Sequence, residues 1–344
     1  MKLGVVGATG LVGQVILDVL AERGTRVDEF RAFASARGAG QRVVLGGRAQ
    51  VVENAARADF AGLDLVLMSA GADAARALAP RAVDAGAIVV DNSSAFRADP
   101  DVPLVVSEVN PGALASIPRG IVANPNCTTM VAMTAVGPLH AAAGLRRLVV
   151  SSYQAVSGAG RDGVDELCGQ VRSLGTRAEG LTTTAEMANY VAGSVFPERI
   201  AFNVVPLAGG ILDDGSDESA EERKLVEESR RILGTPELAV TGTCVRVPVV
   251  TGHSMSIHAE FERPLPPERA LELLREARGV ELAEVPTPLA ATGRDATLVG
   301  RVRADTTVPH GLALFVCGDN LRKGAALNAV QIAEELVARG ALGG

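Results

Sequence analysis

The chain lacks any cluster of cysteine or histidine residues. The four cysteines and four histidines are Cys127, Cys168, Cys244, Cys317, His140, His253, His258 and His310. No two cysteines form a Cys-x-x-Cys pair, which excludes a disulfide framework and a zinc ribbon. The histidines have no metal-ligand spacing either. We therefore expect no bound metal ion.

The sequence also lacks a long apolar run, an apolar N-terminal leader and an excess of basic charge. No stretch of about 18 uninterrupted apolar residues is present, so a membrane span is not expected. The segment Met1–Gly7 leads directly into a strand-and-turn pattern rather than a signal-peptide core. With 33 basic and 40 acidic residues the net charge is −7, which disfavours nucleic acid because phosphate-backbone binding needs a basic face. These absences predict a cytoplasmic protein without a membrane or nucleic-acid partner.

Length and composition indicate a globular protein of about two domains. A chain of 344 residues with 47% apolar and 21% charged residues can bury a large core. In its first third, short β-like runs alternate with helical ones, which is typical of crossover units on a mostly parallel sheet. The predicted strands and helices are Leu3–Val6, Leu11–Glu22, Phe30–Ala34, Leu63–Ser69, Ala72–Ala85, Ile88–Asp91, Val105–Val106, Ile121–Asn124 and Thr128–Ala142.

Beyond about residue 145 the pattern changes to longer β runs with fewer helices between them. Ser254–Glu262 alternates apolar and polar residues, as expected for a sheet with one packed face. The last segment, Arg322–Arg339, has helical spacing and is expected to pack back on the first domain. We predict a second, α+β domain with the strands Leu148–Gln154, Val240–Val247, Ser254–Glu262 and Val299–Arg303.

A glycine-rich turn joins the first predicted strand to the first helix. Gly7–Gly13 has the spacing G-x-x-G-x-x-G, which lets the backbone turn tightly and approach a pyrophosphate at the helix N-terminus. A tight turn without a ligand is the alternative. The position in a strand–turn–helix unit favours a dinucleotide site.

The end of the second predicted strand indicates which dinucleotide binds. An NAD site tends to place an acidic residue there, whereas this chain has Ser35 and Arg37. A hydroxyl and a guanidinium suit a 2′-phosphate. NADP is therefore the predicted cofactor, and a solvated surface arginine is the alternative reading of Arg37.

Cys127 follows Asn124-Pro125-Asn126 at a predicted strand-to-helix turn. A thiol at a helix N-terminus lies at the positive end of the helix dipole, which lowers its pKa and favours the thiolate. Most lone cysteines are small buried hydrophobes, and we interpret Cys168, Cys244 and Cys317 in that way. Cys127 is the candidate nucleophile.

With these segments in view, the chain resembles the aspartate-semialdehyde dehydrogenase family over nearly its whole length. The resemblance rests on many short motifs in the family's order, which is more specific than any one of them. They are Gly7–Gly13, Ala34–Gly38, Asp91–Arg97, Asn124–Thr129, Gln154–Gly160, Glu221–Lys224, Arg246–His253 and Asp319–Ala326.

The resemblance implies an α/β protein with two domains. Residues 1–126 and 319–344 would form a Rossmann-type NADP-binding domain completed by the C-terminal helix, and 127–318 an α+β catalytic and dimerisation domain. Members of the family use NADPH to reduce aspartyl phosphate to aspartate semialdehyde, on the route to lysine, methionine, threonine and isoleucine. The implied partners are these small molecules, inorganic phosphate and further copies of the chain, as a homodimer or a dimer of dimers.

The resemblance also assigns the reacting residues. Cys127 would attack the acyl phosphate and leave a thioester that accepts hydride. His253 would shuttle a proton, since imidazole titrates near neutral pH, although a lone histidine is more often structural. Gln154 would orient the substrate beside the thiol. His258 falls in the alternating strand and is left structural.

Substrate contacts follow in the same way. Arg246 has the planar fork that a carboxylate requires, and a surface strand arginine is the alternative. Arg97, Asn126 and Lys224 resemble the phosphate-binding set. Glu221, three residues before Lys224, shares its helix face and would hold the substrate ammonium, with a plain surface ion pair as the rival interpretation.

The sequence itself adds a capping box. Ser219 and Glu222 have the spacing of an N-cap and its N3 partner, so Glu222 is expected to be structural. Two departures from the family leave the local loop shape open, namely Pro206–Gly209 in place of Pro-His-Ile-Gly and a longer acidic stretch, Asp213–Glu218. The implied cofactor-binding residues are Gly7, Thr9, Gly10, Leu11, Val12, Ser35, Arg37, Gly38, Ser157, Gly158 and Asn320.

Two alternatives remain at this stage. N-acetyl-γ-glutamyl-phosphate reductase performs the same chemistry on an acylated substrate, but usually shows Asn-Pro-Gly-Cys-Tyr-Pro around its nucleophile. A catalytically inactive scaffold of the same fold is the other. Retention of Cys127, Gln154, Arg246 and His253 disfavours the inactive scaffold.

Overall fold

The computed structural model describes residues 1–185 and 193–342. The chain divides into two compact units, and it passes from one to the other several times. Unit 1 comprises Met1–Gly137, Glu227–Pro236 and Leu321–Gly344, and unit 2 comprises Pro138–Val226 and Glu237–Asn320. In this division Cys127 lies in unit 1, whereas the predicted division after residue 126 would place it in the second domain and stays a prediction.

Unit 1 is built on a six-stranded, wholly parallel sheet. Its strands follow the order β5-β2-β1-β6-β7-β8, and the central strands are buried on both faces, as parallel sheets require. Its elements are β1 Lys2–Val6, α1 Leu11–Glu22, β2 Glu29–Ala34, β3 Arg42–Leu45, β4 Arg48–Val51, β5 Glu53–Asn54, β6 Leu65–Met68, α2 Ala72–Asp84, β7 Ile88–Asp91, β8 Ile121–Ala123 and most of α3 Cys127–Ala143. From Pro138 onward, helix α3 belongs to unit 2.

The C-terminal segment completes the core of unit 1. A π-helical turn, Arg322–Ala326, leads into an α-helix, Leu327–Ala338. Leu327, Val330 and Leu336 join the same buried cluster as Leu3 of the first strand. The predicted return of the last helix to the first domain is confirmed, and the structure adds the wider π-turn at its start.

Unit 2 contains a six-stranded mixed sheet in the order β10-β9-β11-β14-β13-β12. The predicted alternation over Ser254–Glu262 is confirmed, because β11 alternates buried and more accessible residues from Met255 to Phe261, as expected for a sheet with one packed face. The elements are β9 Leu145–Gln154, α4 Gly160–Leu174, the first half of α5 Ala220–Ile232, β10 Ala239–Arg246, β11 His253–Phe261, α6 Pro267–Glu276, β12 Val280–Leu282, α7 Pro288–Ala291, β13 Thr297–Asp305 and β14 Gly311–Gly318. From Glu227 onward, helix α5 belongs to unit 1.

The predicted α/β class and its two kinds of sheet are confirmed, with one wrong strand. Val105–Val106 is not a strand, because the neighbouring Leu104 forms only an isolated bridge with Ala123 and the Val106 N–H donates to Asn110 Oδ1 instead of to a strand. Among residues 1–185 and 193–342, every helix is too short or too polar to cross a membrane. The same residues contain no group of three or more His, Cys, Asp or Glu side chains placed to hold a metal ion.

Candidate active site

The glycine-rich turn of unit 1 is closed by its own backbone. Gly7 has φ +81°, and a Cβ there would lie 1.9 Å from the carbonyl oxygen of Ser69. Gly13 is equally constrained, since its Cβ would lie 2.1 Å from the Gly7 oxygen. Gly10 donates its N–H to that oxygen at 2.9 Å. Only glycine at positions 7 and 13 allows a turn this tight.

Helix α1 presents an N-terminus that no side chain caps. Gly10 is the N-cap residue, and the first turn contains no acidic residue. Leu11 and Val12, which open the helix, are half-buried. Such a terminus offers backbone N–H groups and a positive dipole end to an anion. This geometry fits the pyrophosphate of a dinucleotide.

The second predicted part of the cofactor site adjoins this turn. A Cβ on Gly38 would lie 2.8 Å from Thr9 Oγ1, so the turn after β2 packs directly on the glycine-rich turn. Ser35 and Arg37 are exposed there. Within the described part of the chain the Arg37 guanidinium has no side-chain or backbone partner, so it can bind a 2′-phosphate.

Three predicted cofactor residues lie in unit 2. Ser157 and Asn320 are buried and hydrogen-bonded, with Asn320 Nδ2 donating to Ser157 Oγ at 2.9 Å. Asn320 Oδ1 accepts the N–H of Gly252 at 2.8 Å. A Cβ on Gly158 would lie 2.9 Å from Arg246 Nη1 and 3.3 Å from His253 Cε1. Gly158 therefore leaves room for two of the predicted reacting side chains.

Cys127 is the first residue of α3 and is half-buried. Asn126 Oδ1 accepts the N–H of Thr128 at 3.0 Å, which satisfies one of the unpaired donors at the start of the helix. On the other side, a Cβ on Gly324 would lie 2.7 Å from Cys127 Cβ. The thiol thus sits at a helix N-terminus that is fixed from two directions.

Arg97 is anchored next to this turn. Its guanidinium donates to the carbonyl oxygens of Asn124 at 2.8 Å and Asn92 at 2.7 Å, and forms an ion pair with Glu228 at 3.2 Å. The other carboxylate oxygen of Glu228 accepts the N–H of Asn126 at 2.6 Å. Two of the predicted phosphate-binding residues, Arg97 and Asn126, are therefore joined through a carboxylate that the sequence interpretation did not identify.

In unit 2, three predicted residues lie at the same end of three adjacent strands. β10 pairs with β9 in parallel, and Arg246 is opposite Gln154. β11 pairs with β9 antiparallel and begins at His253, beside the Ser254–Tyr153 pair. All three residues are buried, and Arg246 is only 7% exposed. This burial excludes the surface interpretation of Arg246.

Each of these three side chains is oriented by a neighbour. Gln154 Nε2 donates to Ser152 Oγ at 3.2 Å, and Arg246 Nη1 donates to the Ala155 oxygen at 2.7 Å. The N–H of the same Ala155 donates to His253 Nδ1 at 3.0 Å. The backbone of one residue, Ala155, thus orients both the guanidinium and the imidazole.

The bond from Ala155 fixes the tautomer of His253. Because Nδ1 accepts a hydrogen bond, the proton of the neutral ring is on Nε2. Nε2 is buried and has no hydrogen-bond partner among the described residues. Burial, aided by the charge of Arg246, lowers the pKa of His253 to about 3. The ring is therefore neutral, and its Nε2–H can donate a hydrogen bond to a substrate atom.

The predicted capping box of helix α5 is confirmed. The Ser219 N–H donates to Glu222 Oε2 at 2.8 Å, and the Glu222 N–H donates to Ser219 Oγ at 3.3 Å. Glu222 also accepts the N–H of Cys244 at 3.0 Å. Glu221 and Lys224 form an ion pair of 2.8 Å on the same helix, with Glu221 the less exposed partner.

The other cysteines follow the prediction in part. Cys244 and Cys317 are buried, and burial raises the pKa of their thiols to about 12 and about 11 respectively. Cys168 is only half-buried, so the prediction of a core residue is wrong there. It lies on helix α4, whose polar sequence leaves part of that face accessible. His258 is partly exposed and bonds Asp305 at 2.7 Å.

A buried ion pair near Cys127 was also missed by the sequence interpretation. Lys323 contacts Glu108 at 2.7 Å, and both are almost fully buried. Burial alone would raise the pKa of Glu108, but Lys323 and Gln331 outweigh it and lower that pKa. The available signal was the position of Lys323 beside Gly324, inside a motif that was already identified.

Comparison with known proteins identifies the family. The models "Semialdehyde dehydrogenase, NAD binding domain" and "Semialdehyde dehydrogenase, dimerisation domain" match residues 2–117 and 136–323. An aspartate-semialdehyde dehydrogenase of Streptomyces akiyoshiensis is 56% identical over 338 residues, which cover 98% of this chain and 99% of the relative.

Solved structures agree with that assignment. Aspartate semialdehyde dehydrogenase II from Vibrio cholerae, complexed with ASA, aligns with a TM-score of 0.91 and 41% identity over 98% of both chains. The enzyme from Candida albicans with NADP aligns with a TM-score of 0.74 and 26% identity, over 98% of this chain and 99% of that one. The chain therefore belongs to the aspartate-semialdehyde dehydrogenase family, the NADP-dependent oxidoreductases on the route to lysine, methionine, threonine and isoleucine.

Proposed function

We propose that this chain reduces L-aspartyl 4-phosphate to L-aspartate 4-semialdehyde through a thioester on Cys127. The observation that carries the residue assignment is the position of this thiol, at the first residue of a helix whose preceding turn anchors Arg97 through the Asn124 oxygen. A helix N-terminus favours the thiolate. In the first step the thiolate sulfur bonds the acyl carbon, and phosphate departs with the electrons of the carbon–oxygen bond.

The glycine-rich turn would hold NADPH, with Ser35 and Arg37 on its 2′-phosphate, and the bound cofactor would supply the hydride that reduces the thioester. The carbon–sulfur bond then breaks, which gives the aldehyde and regenerates the thiolate of Cys127. Ser157, Gly158 and Asn320 complete the residues that we assign to cofactor binding.

His253 acts as a hydrogen-bond donor to the carbonyl oxygen. Two tetrahedral intermediates form, one after thiolate attack and one after hydride transfer. Each carries a negatively charged oxygen, and each can expel its leaving group without protonation of that oxygen. A neutral imidazole with its proton on Nε2, which Ala155 enforces, stabilises that oxygen as an oxyanion hole does. The proton shuttle implied by the resemblance stays a prediction, and the tautomer that Ala155 fixes favours the donor role.

The remaining side chains hold the substrate. Arg246 binds the α-carboxylate through two parallel hydrogen bonds, and Gln154 orients the reacting group. Glu221 accepts the substrate ammonium, and Lys224, its ion-pair partner, joins Arg97 and Asn126 in binding phosphate. We assign residues 1–126 and 319–344 to cofactor binding and residues 127–318 to catalysis and dimerisation. Residues 186–192 and 343–344 of these divisions lie outside the described residues.

The dimerisation-domain match supports a homodimer, and a dimer of dimers is the larger assembly we consider. As a biosynthetic enzyme the protein would act in the cytoplasm. The relatives named above are aspartate-semialdehyde dehydrogenases, so the acetylated-substrate alternative is not favoured.

The test follows NADPH formation in the reverse direction, with phosphate, NADP and either L-aspartate semialdehyde or N-acetyl-L-glutamate semialdehyde. We expect turnover with the first aldehyde and almost none with the second. Cys127→Ser should abolish turnover by several orders of magnitude, since a hydroxyl is a poor nucleophile, while Cys168→Ser serves as the matched control. Turnover of the acetylated aldehyde, or an active Cys127→Ser variant, would contradict the proposal.

A further inference from the structure

A buried carboxylate stands between the nucleophile turn and the phosphate-binding arginine. Glu228 belongs to the stretch Glu227–Pro236 of unit 1 and is 4% exposed. One of its oxygens accepts the N–H of Asn126 at 2.6 Å, and the other pairs with Arg97 at 3.2 Å. Asn126 is joined to Cys127 by one peptide bond. Glu228 therefore contacts two of the proposed phosphate-binding residues, Arg97 and Asn126, and has no assigned role of its own.

A negative charge at this position opposes anion binding. Phosphate is a dianion, and a carboxylate beside Arg97 cancels much of the guanidinium's attraction for it. Arg97 uses three of its five N–H groups on Asn124, Asn92 and Glu228, which leaves two for a ligand. The guanidinium of Arg97 is therefore fixed in position, but its attraction for a phosphate is reduced by the charge of Glu228.

The same carboxylate affects the thiol. An anion near Cys127 disfavours the thiolate, and the helix N-terminus favours it. Other charged groups near this turn in unit 1 include Asp91, Arg231, which interacts electrostatically with Glu228, and the buried pair of Lys323 and Glu108. The opposite charges of Lys323 and Glu108 neutralise each other. Glu228 and Arg97 are the charged pair that contacts the backbone of the turn directly.

We propose that Glu228 is a positioning residue, which fixes the Pro125–Asn126 peptide immediately before Cys127 and restrains the charge of Arg97 so that phosphate can leave. This inference rests on the proposed roles of Cys127 and Arg97. In the reductive direction phosphate is the first product, so a site that held it too tightly would slow turnover.

The test is Glu228→Gln, because glutamine keeps the size and an acceptor oxygen but removes the charge. Glu227→Gln is the matched control, since Glu227 is the preceding residue of the same helix and is exposed. In the reverse reaction we expect the phosphate KM of Glu228→Gln to fall about threefold to tenfold. The pH midpoint for alkylation of Cys127 by iodoacetamide should fall by about 0.5 to 1 unit. The KM values for NADP and the aldehyde should not change.

Failure of either shift, or equal shifts in Glu227→Gln, would overturn the inference and leave Glu228 as a structural residue. If Glu228→Gln does not fold, the alkylation midpoint of Cys127 is compared between Arg97→Gln and the double variant Arg97→Gln/Glu228→Gln. The double variant removes both charges, so it leaves no unpaired charge buried. The midpoint should then be lower in the double variant, and equal midpoints would overturn the inference.

The proposed function fails on different results. An unchanged phosphate KM in Arg97→Gln would remove Arg97 from the phosphate site, and the alkylation midpoint would still decide the effect of Glu228 on the thiol.

Discussion

Replacing Gly324 with alanine is expected to slow the reaction by displacing the nucleophile. A methyl group at this position would lie 2.7 Å from Cys127 Cβ and 3.2 Å from its Cα. Carbon atoms normally approach no closer than about 3.5 Å. Neither Cys127 atom is the end of a flexible side chain, so the start of helix α3 or the π-helical turn must move by close to 1 Å.

The expected effects on rate and stability differ in size. A misplacement of about 1 Å can cost on the order of a hundredfold in rate. Overpacking costs about 1–3 kcal/mol, but exchanging glycine for alanine inside a helix returns about 1 kcal/mol. We therefore expect kcat to fall about ten- to a hundredfold while the free energy of unfolding falls by no more than about 2 kcal/mol.

The assay measures kcat in the reverse reaction and thermal unfolding on the same preparation. Gly112→Ala is the control, because residue 112 is exposed and a Cβ there meets no atom within 4 Å. It should behave like the wild type in both measurements. A Gly324→Ala variant with kcat within about twofold of this control would refute the argument that Gly324 sets the position of the thiol.

Three further predictions concern single side chains. Arg37→Ala should weaken NADPH binding about ten- to a hundredfold, the loss of one charge-assisted contact, and leave NADH use nearly unchanged; equal losses with both cofactors in titrations would make Arg37 structural. Arg246→Lys should raise the aldehyde KM and lower kcat together, by about a hundredfold overall, because an ammonium cannot reproduce a two-pronged contact; a change confined to the phosphate KM in steady-state assays would move Arg246 to the phosphate site. The pKa of His253 is lower in the folded than in the unfolded protein, so between about pH 6.5 and 3 the unfolded chain binds one more proton and stability falls as the pH falls. In urea unfolding across that window, the wild type should lose up to about 1.4 kcal/mol of unfolding free energy per pH unit more than His253→Gln. Equal slopes for the two proteins would contradict a buried neutral ring.

The sequence was sufficient to predict the sheet types, the glycine-rich turn and the nucleophile turn. These features depend on local periodicity and on residues a few positions apart, such as Gly7 and Gly13. The meeting of Gln154, Arg246 and His253 was implied by resemblance only. Its physical basis is the order of β10, β9 and β11 in the sheet, which joins strands about 90 residues apart and has no local signature.

Glu228 and Gly324 were not identified, for two different physical reasons. Glu228 lies on a charge-rich helix, where a single acidic residue has the pattern of a solvated face. It is nevertheless buried, and its partner Arg97 is remote in sequence. Gly324 lies in a segment with ordinary helical spacing, and its importance is only apparent once the π-turn brings it against Cys127. The strand predicted at Val105–Val106 was wrong for the opposite reason. The residues there favour β structure, but the segment forms only an isolated bridge, at Leu104, and no ladder.

The most direct test of the central claim is a reaction that stops at the thioester. The protein is mixed with L-aspartate semialdehyde and NADP in the absence of phosphate, and NADPH formation is followed before the protein is digested for mass spectrometry. We predict a burst of one NADPH per chain, an aspartyl group on the peptide that contains Cys127, and resumed turnover when phosphate is added. An undiminished burst in Cys127→Ser, or an aspartyl group on Cys168 instead, would contradict the account.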